Sequence, residues 1–215
     1  SKYLSFPVVS GNVSFYNQTK ETGIKPTPVI GGVGLIKDYK KMVTMHFKSE
    51  ENIVLVIGKT EGHIDQSLFA RTILDEKNGP PPEINLFNEK NNGETILKLI
   101  NDNYIKSAHD VSLGGIIVAI SKMCIKGNIG IELKKPKSLL NNLEYFFGED
   151  QGRYLIEVNK LDIKKVTSVL DKNAVHYDEI GILKGKSIII DEKTIVPIDE
   201  LKSYNTNWLP EYMSK

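Results

Sequence analysis

The sequence contains a single cysteine, no long hydrophobic run and almost no net charge. Because Cys124 is the only cysteine, no disulfide can form within the chain, and a reducing cytoplasmic compartment is expected rather than secretion. No apolar run approaches the roughly 20 residues of a membrane-spanning helix. The first residues also lack the basic-then-apolar pattern of a signal peptide. Together these absences argue against a secreted disulfide-rich domain and against a membrane protein.

The charges of the chain nearly cancel. There are 28 Lys and Arg residues against 27 Asp and Glu residues, which leaves a formal net charge of +1. Such a balance predicts no broad basic surface for nucleic acid or for an anionic membrane, although a local anion pocket stays possible. With 40% hydrophobic residues in 215, the chain can form one large domain, or one domain with an appendage.

Two kinds of sequence pattern follow one another along the chain. A segment punctuated by glycine and proline occupies residues 6–36, and regular strand and helix patterns begin near Lys41. Strands are predicted at 43–47, 53–57, 104–111, 129–133, 153–158, 176–182 and 186–190, and helices at 63–74, 87–102, 114–126, 138–144 and 161–170. The irregular alternation, with a hairpin-like pattern over 176–195, predicts an α+β fold with a mixed β-sheet. Residues 200–215 are predicted to be a C-terminal tail.

The loop SGNVSFYN, at residues 10–17, contains residue types that bind metal–nucleotide complexes. Gly11 allows backbone to approach a ligand closely, the carboxamide oxygen of Asn12 can ligate Mg²⁺, and the hydroxyl of Ser14 can donate to a phosphate. The alternative is a polar loop whose asparagine and serine only satisfy neighbouring backbone groups. Composition alone favours this alternative, because short polar glycine loops are common.

The wider sequence resembles a known enzyme family. The run PVVSGNVSFYNQT, followed closely by PTPVIGGVGLI, resembles the phosphoribosylformylglycinamidine synthases (FGAM synthases), which are ATP-dependent ligases of purine biosynthesis. Three later segments fit the same family in the same order: AHDVSLGG at 108–115, FGEDQGRYLIEV at 147–158 and WLPEYM at 208–213. The resemblance covers essentially the whole chain but only the last third, or less, of the family's polypeptide. The chain is therefore expected to have been cut from a longer one.

The resemblance implies a domain organisation and a set of site residues. Residues 1–37 correspond to the tail of the second nucleotide-handling domain and a linker. Residues 38–215 correspond to a C-terminal α+β domain of the aminoimidazole ribonucleotide synthetase type, with a mixed sheet and helices packed on one face. Residue by residue, the family's ATP contact falls on Gly11, its Mg²⁺ ligand on Asn12 and its substrate contact on Ser14. No catalytic residue is expected here, because the family's catalytic histidine belongs to N-terminal domains outside this chain.

The implied reaction converts formylglycinamide ribonucleotide, ATP and glutamine-derived ammonia into the amidine, ADP and phosphate through an iminophosphate. The implied partners are a glutaminase subunit, a small accessory subunit and the missing N-terminal domains. The lack of a glutaminase domain after Lys215 favours the small type of synthetase subunit. The fragment alone is expected to be inactive.

The alternative is a structural or docking domain whose nucleotide site is vestigial or structural. A third possibility, aminoimidazole ribonucleotide synthetase itself, is less favoured because SGNVSFYN and HDVSLGG occur together.

The segment HDVSLGG leaves two interpretations open. Glycines at a helix N-terminus can hold a phosphate on free backbone amides. Alternatively, Ser112 caps the helix while His109 and Asp110 pair locally. The family commonly has an acidic residue at the position of Leu113, and this departure weakens a catalytic role.

Two other family-like segments carry expectations of their own. Arg153 could contact a phosphate or carboxylate, but a surface salt bridge to Glu149 or Asp150 is favoured. The aromatic and apolar tail at 208–213 is expected to pack down onto the domain.

Overall fold

The structure is a computed structural model that describes residues 1–13, 16–24 and 27–214. The chain divides into two compact units, Ser1–Lys40 and Lys41–Lys215. The described part of the first unit contains one antiparallel pair, β1 (Gln18–Thr19) and β2 (Thr22–Gly23). The proposed origin of residues 1–37 in a nucleotide-handling domain stays a prediction, because contacts within a unit do not identify its parent domain.

The second unit is built on one seven-stranded sheet. Its strands are β3 (Ile53–Ile57), β4 (Ile105–Asp110), β5 (Ile131–Leu133), β6 (Tyr154–Val158), β7 (Tyr177–Leu183), β8 (Ser187–Ile190) and β9 (Thr194–Pro197). Its α-helices are α1 (Leu68–Thr72), α2 (Leu86–Asn101), α3 (Gly115–Gly127), α4 (Asn142–Phe147), α5 (Ile163–Lys172) and α6 (Ile198–Met213). The strand order is β4-β6-β3-β7-β5-β8-β9, and β5 and β8 form the one parallel pair among the described strands. The predicted α+β fold with a mixed sheet is confirmed.

Helices cover both faces of this sheet, whereas the sequence predicted helices on one face. All five residues of β3 are buried, and successive side chains of a strand point to opposite faces. Val54 and Val56 therefore belong to one core with residues of α3 and α4, while Leu55 belongs to a second core with residues of α2 and α5. The continuous apolar run IVLVI is the local sign of this double burial.

Strand pairing differs from the predicted hairpin over 176–195. The strand β5 lies between β7 and β8, pairing antiparallel with the first and parallel with the second. The hairpin is instead formed by β8 and β9, which pair from Ser187↔Pro197 to Ile190↔Thr194. At the predicted strand 43–47 only Thr44 forms a bridge, with Ser107.

Residues 198–213 form the helix α6 rather than a tail, and its distal half does not pack down. Ile198 is 1% exposed and Leu201 packs against the core, which anchors the beginning of the helix. Further along, the rings of Trp208 and Tyr212 stack with centroids 5.5 Å apart, and both side chains are mostly exposed. The expectation that the segment WLPEYM packs down is therefore wrong. None of the described helices combines the length and apolar character needed to cross a bilayer.

Candidate functional site

The loop that carries the predicted ATP and Mg²⁺ contacts lies in the first unit. Gly11 and Asn12 are exposed, and apart from its two chain neighbours no described residue has an atom within 4 Å of the position that a Cβ on Gly11 would take. Ser14, the predicted substrate contact, lies outside the described residues. This open backbone fits close approach of a ligand, and the Asn12 carboxamide is accessible to a metal ion.

A complete magnesium site is not present in the described part of the chain. Mg²⁺ takes about six oxygen ligands in near-octahedral geometry. No three His, Cys, Asp or Glu side chains among the described residues lie close enough to hold a metal ion. Asn12 could therefore supply one ligand to a site whose other ligands come from elsewhere.

The segment HDVSLGG connects the end of β4 to the start of α3. His109 Nδ1 lies 3.1 Å from Asp110 Oδ1, as one of the two interpretations expected. The Ser112 hydroxyl donates to the Asp110 carboxylate, and this hydrogen bond is the main cause that lowers the pKa of Asp110. Ser112 does not cap α3, because the N-cap is Gly114, in a left-handed conformation with φ of 84°. His109 Nε2 is buried and has no hydrogen-bond partner among the described residues.

The amino end of α3 already binds a carboxylate. Glu149 Oε1 accepts a hydrogen bond from the Gly114 backbone N–H at 2.8 Å and another from the Leu68 N–H at 2.6 Å. These N–H groups lie at the starts of α3 and α1, where free amides and the helix dipole favour an anion. Glu149 thus takes the position that a ligand phosphate would need, an arrangement that the sequence did not predict.

Arg153 is a buried structural residue rather than the predicted member of a surface salt bridge. Its guanidinium donates to the carbonyl oxygens of Gly148 at 2.6 Å and Asp150 at 3.1 Å, and to Thr60 Oγ1 at 3.2 Å. It also lies 3.5 Å from the Asp150 carboxylate, and its own side chain is fully buried. Burial lowers the pKa of Arg153, while the Asp150 charge opposes that shift. The arginine therefore fixes the loop between α4 and β6 and is not available to a ligand.

A polar cleft of about 1050 Å³ opens beside this loop, between residues 59–65, the start of α2 and residues 150–152. Its lining is rich in carboxylates, contributed by Glu61, Asp65, Glu83, Glu89, Glu144 and Asp150. The lining also includes Lys59, which pairs with Glu61 at 2.5 Å. Such a lining disfavours a free phosphate group. The sequence did not predict this cleft, because its walls are far apart along the chain.

A comparison with protein families assigns the second unit. The family described as "AIR synthase related protein, C-terminal domain" matches residues 49–192. The chain belongs to this family. The match confirms the predicted domain type, and Gly11, Asn12 and Ser14 lie before the matched region.

Curated relatives of this AIR synthase related chain are FGAM synthase subunits. It is 70% identical over 213 residues to phosphoribosylformylglycinamidine synthase subunit PurL of Pelagibacter ubique, which covers 99% of this chain and 29% of the relative. It is 40% identical over 211 residues to the subunit of the same name from Rhodopseudomonas palustris. That alignment covers 98% of this chain and 29% of the relative. These similarities confirm the resemblance drawn from the sequence segments. The chain spans less than a third of each of these relatives.

Solved structures with the same fold are PurL proteins of Thermotoga maritima. The structure described as PurL complexed with FGAR superposes with a TM-score of 0.64 at 16% identity, covering 76% of this chain and 30% of that chain. PurL complexed with ATP gives a TM-score of 0.60 at 15% identity, covering 76% and 28%. At these identities the likeness shows the fold of the AIR synthase related domain, and no more.

Proposed function

We propose that this chain is the C-terminal portion of a cytoplasmic FGAM synthase, an ATP-dependent C–N ligase of purine biosynthesis. The observation that carries the proposal is the 70% identity to a PurL subunit over 99% of the chain. In the proposed reaction the amide of formylglycinamide ribonucleotide becomes an amidine, with nitrogen from glutamine-derived ammonia. Formylglycinamide ribonucleotide, a glutaminase subunit, a small accessory subunit and the remaining polypeptide are the proposed partners.

The proposed roles of this chain's own residues are limited to binding and positioning. The backbone at Gly11 packs against ATP, the carboxamide oxygen of Asn12 ligates Mg²⁺, and the Ser14 hydroxyl binds the substrate. When bound, the metal–nucleotide complex supplies the phosphoryl group that converts the amide oxygen into a good leaving group, through an iminophosphate. Since a catalytic histidine and further metal ligands must come from outside this chain, the 215-residue chain alone is inactive in this proposal.

A hybrid enzyme tests the proposal. In it, this chain replaces the segment of the Pelagibacter ubique subunit that it matches, and conversion of formylglycinamide ribonucleotide is measured with ATP, Mg²⁺ and ammonium. The expected result is turnover close to that of the parent subunit. The parent truncated before this segment serves as the inactive control. A hybrid that is folded by circular dichroism and yet has no turnover would contradict the proposal.

The position of Glu149 favours a second function. In this function the chain is a docking domain, and its AIR synthase related unit has no nucleotide site of its own. The Glu149 carboxylate accepts hydrogen bonds from the backbone N–H groups of Gly114 and Leu68. Six acidic residues lie in the lining of the neighbouring cleft. Titration of ADP with Mg²⁺ into the purified chain is then expected to give no binding heat. Micromolar affinity, lost in a Gly114→Val variant, would instead support a surviving nucleotide site.

A further inference from the structure

The helix α6 carries an apolar face, interrupted by Asn205, of which only the beginning is covered. With 3.6 residues per turn, Ile198, Leu201, Trp208 and Tyr212 fall on the same side of the helix. Ile198 and Leu201 pack into the core beside α3. From Tyr204 onward the same side of the helix extends beyond that core.

The uncovered part of this face is large and aromatic. Its members are each between 56% and 72% exposed: Tyr204, Trp208, Leu209 and Tyr212. A fully buried aromatic side chain covers about 150–250 Å². The three aromatic residues alone therefore expose on the order of 350 Å², and Leu209 adds to that area. This area is comparable to the largest apolar patch of a typical monomer, a patch that is often functional.

The residues of this face, here called the α6 aromatic face, are also arranged as a contact surface. Trp208 and Tyr212 stack with an interplanar angle of 12°, so that their rings are ordered before any partner arrives. An ordered surface loses less side-chain entropy on binding. Tryptophan and tyrosine are among the residue types enriched at protein interfaces. On the opposite side of the helix, Ser203, Thr206 and Asn207 are polar, and they hydrogen-bond to one another or to their own helix.

We propose that the α6 aromatic face is covered by the part of the polypeptide that lies outside these 215 residues. This inference rests on the proposed function, in which the chain is one portion of a longer enzyme. The relatives it matches are more than three times as long, since the chain spans 29% of them. A segment of the same polypeptide reaches the face in an intramolecular step, which does not depend on the concentration of the enzyme. In this proposal it therefore occupies the face in preference to a second copy, which has to arrive by diffusion.

Photo-crosslinking in the full-length hybrid enzyme tests this inference. The photoreactive residue p-benzoylphenylalanine is placed at Asn205, within the α6 aromatic face, or at Ser203 on the polar side as a matched control. Both positions are exposed. After irradiation, mass spectrometry identifies the crosslinked peptides. The expected result is an intramolecular crosslink from position 205 to a peptide preceding this chain, at least tenfold more abundant than from position 203.

Other products would overturn the inference and name a different occupant. A band of twice the mass identifies a second copy, a crosslink to an added accessory or glutaminase subunit identifies that partner, and a crosslink to residues 1–40 identifies the first unit. Equal labelling from both positions means that the face is open.

An independent measurement covers the case in which the photoreactive residue disturbs the helix. In the same hybrid, the thiol of Asn205→Cys is expected to react with a maleimide at least tenfold more slowly than that of Ser203→Cys. Equal rates would overturn the inference. Turnover of both variants is assayed in parallel, so that an active hybrid with equal rates rejects the docking inference while leaving the proposed function standing.

Discussion

Arg153 Nη1 lies 3.5 Å from Asp150 Oδ2, and both side chains are buried. The Asp150 carboxylate in turn accepts hydrogen bonds from the backbone N–H groups of Glu61, Gly62 and His63 at 3.1–3.2 Å. One buried ion pair therefore joins the loop before β6 to the loop after β3. It also forms one wall of the polar cleft, since Asp150 and residues 61–63 line it.

Replacing Arg153 is expected to destabilise the domain strongly. The variant Arg153→Ala removes the charge partner of Asp150 and three donated hydrogen bonds, and a broken buried pair costs about 3–5 kcal/mol. The measurement is the free energy of unfolding from urea denaturation. As a control, Lys184→Ala breaks the exposed pair with Glu132 and is expected to leave stability unchanged within error. Similar stability of the two variants would contradict the structural role of Arg153.

Glu149 is expected to stabilise the helix ends at which it accepts hydrogen bonds. The variant Glu149→Ala leaves the N–H groups of Gly114 and Leu68 without their acceptor, and hydrogen bonds to a charged group contribute about 1.5–3 kcal/mol. Because the carboxylate is partly solvated, a loss near the lower end, about 2 kcal/mol, is expected in urea denaturation. Glu149→Gln keeps an acceptor oxygen but not the charge, so its loss should be smaller. An equal loss in both variants would assign the whole effect to charge.

The thiol of Cys124 is expected to be inert in the native protein. Burial raises its pKa to about 12, so the reactive thiolate is absent at pH 8. Ellman's reagent should therefore titrate no thiol in the native chain and one thiol in denaturant. Rapid reaction of the folded protein at pH 8 would show that the side chain is accessible.

The same shift predicts how stability depends on pH. In the unfolded chain the thiol ionises near its ordinary value of 9.0, while in the native state it stays protonated up to about 12. The contribution of the buried thiol to the free energy of unfolding is fully present below pH 9 and is lost as the pH rises from about 9 to 12. Other groups titrate in this range, so the comparison is with Cys124→Ala. The free energy of unfolding should fall more steeply with pH in the parent than in this variant.

Local patterns predicted the elements of the fold better than their arrangement. Buried apolar runs such as 53–57 predicted strands that the structure confirms, because the pattern follows from burial itself. The position of β5 between β7 and β8 was missed, since strand order depends on contacts far apart in sequence. The helix α6 was missed because Asn205, Thr206 and Pro210 are weak helix formers, and packing of Ile198 overrides that preference at its start.

The candidate site was predictable only where the family resemblance supplied it. From residue types alone, Gly11 and Asn12 belong to an ordinary polar loop, and their exposure in the structure is compatible with that. The roles of Glu149 and Arg153 could not be predicted from the short polar segment that contains them. Such a segment does not show which carboxylate accepts hydrogen bonds at a helix N-terminus, or which groups a buried arginine contacts. Their partners Leu68 and Thr60 lie more than 80 residues away along the chain.

The role of Asn12 in metal binding leads to a prediction in the hybrid enzyme. Leucine has about the same size as asparagine but no oxygen ligand, so Asn12→Leu is expected to lower turnover at least a hundredfold. Asn12→Asp keeps an oxygen at the same place and should retain more activity, with an altered dependence of rate on Mg²⁺ concentration. The matched control is Asn78→Leu, at an exposed asparagine in the loop between α1 and α2. Because Asn12 is exposed, neither change should affect the free energy of unfolding, which separates a ligand role from a structural one. Unchanged turnover and unchanged Mg²⁺ dependence in Asn12→Leu would remove the metal assignment.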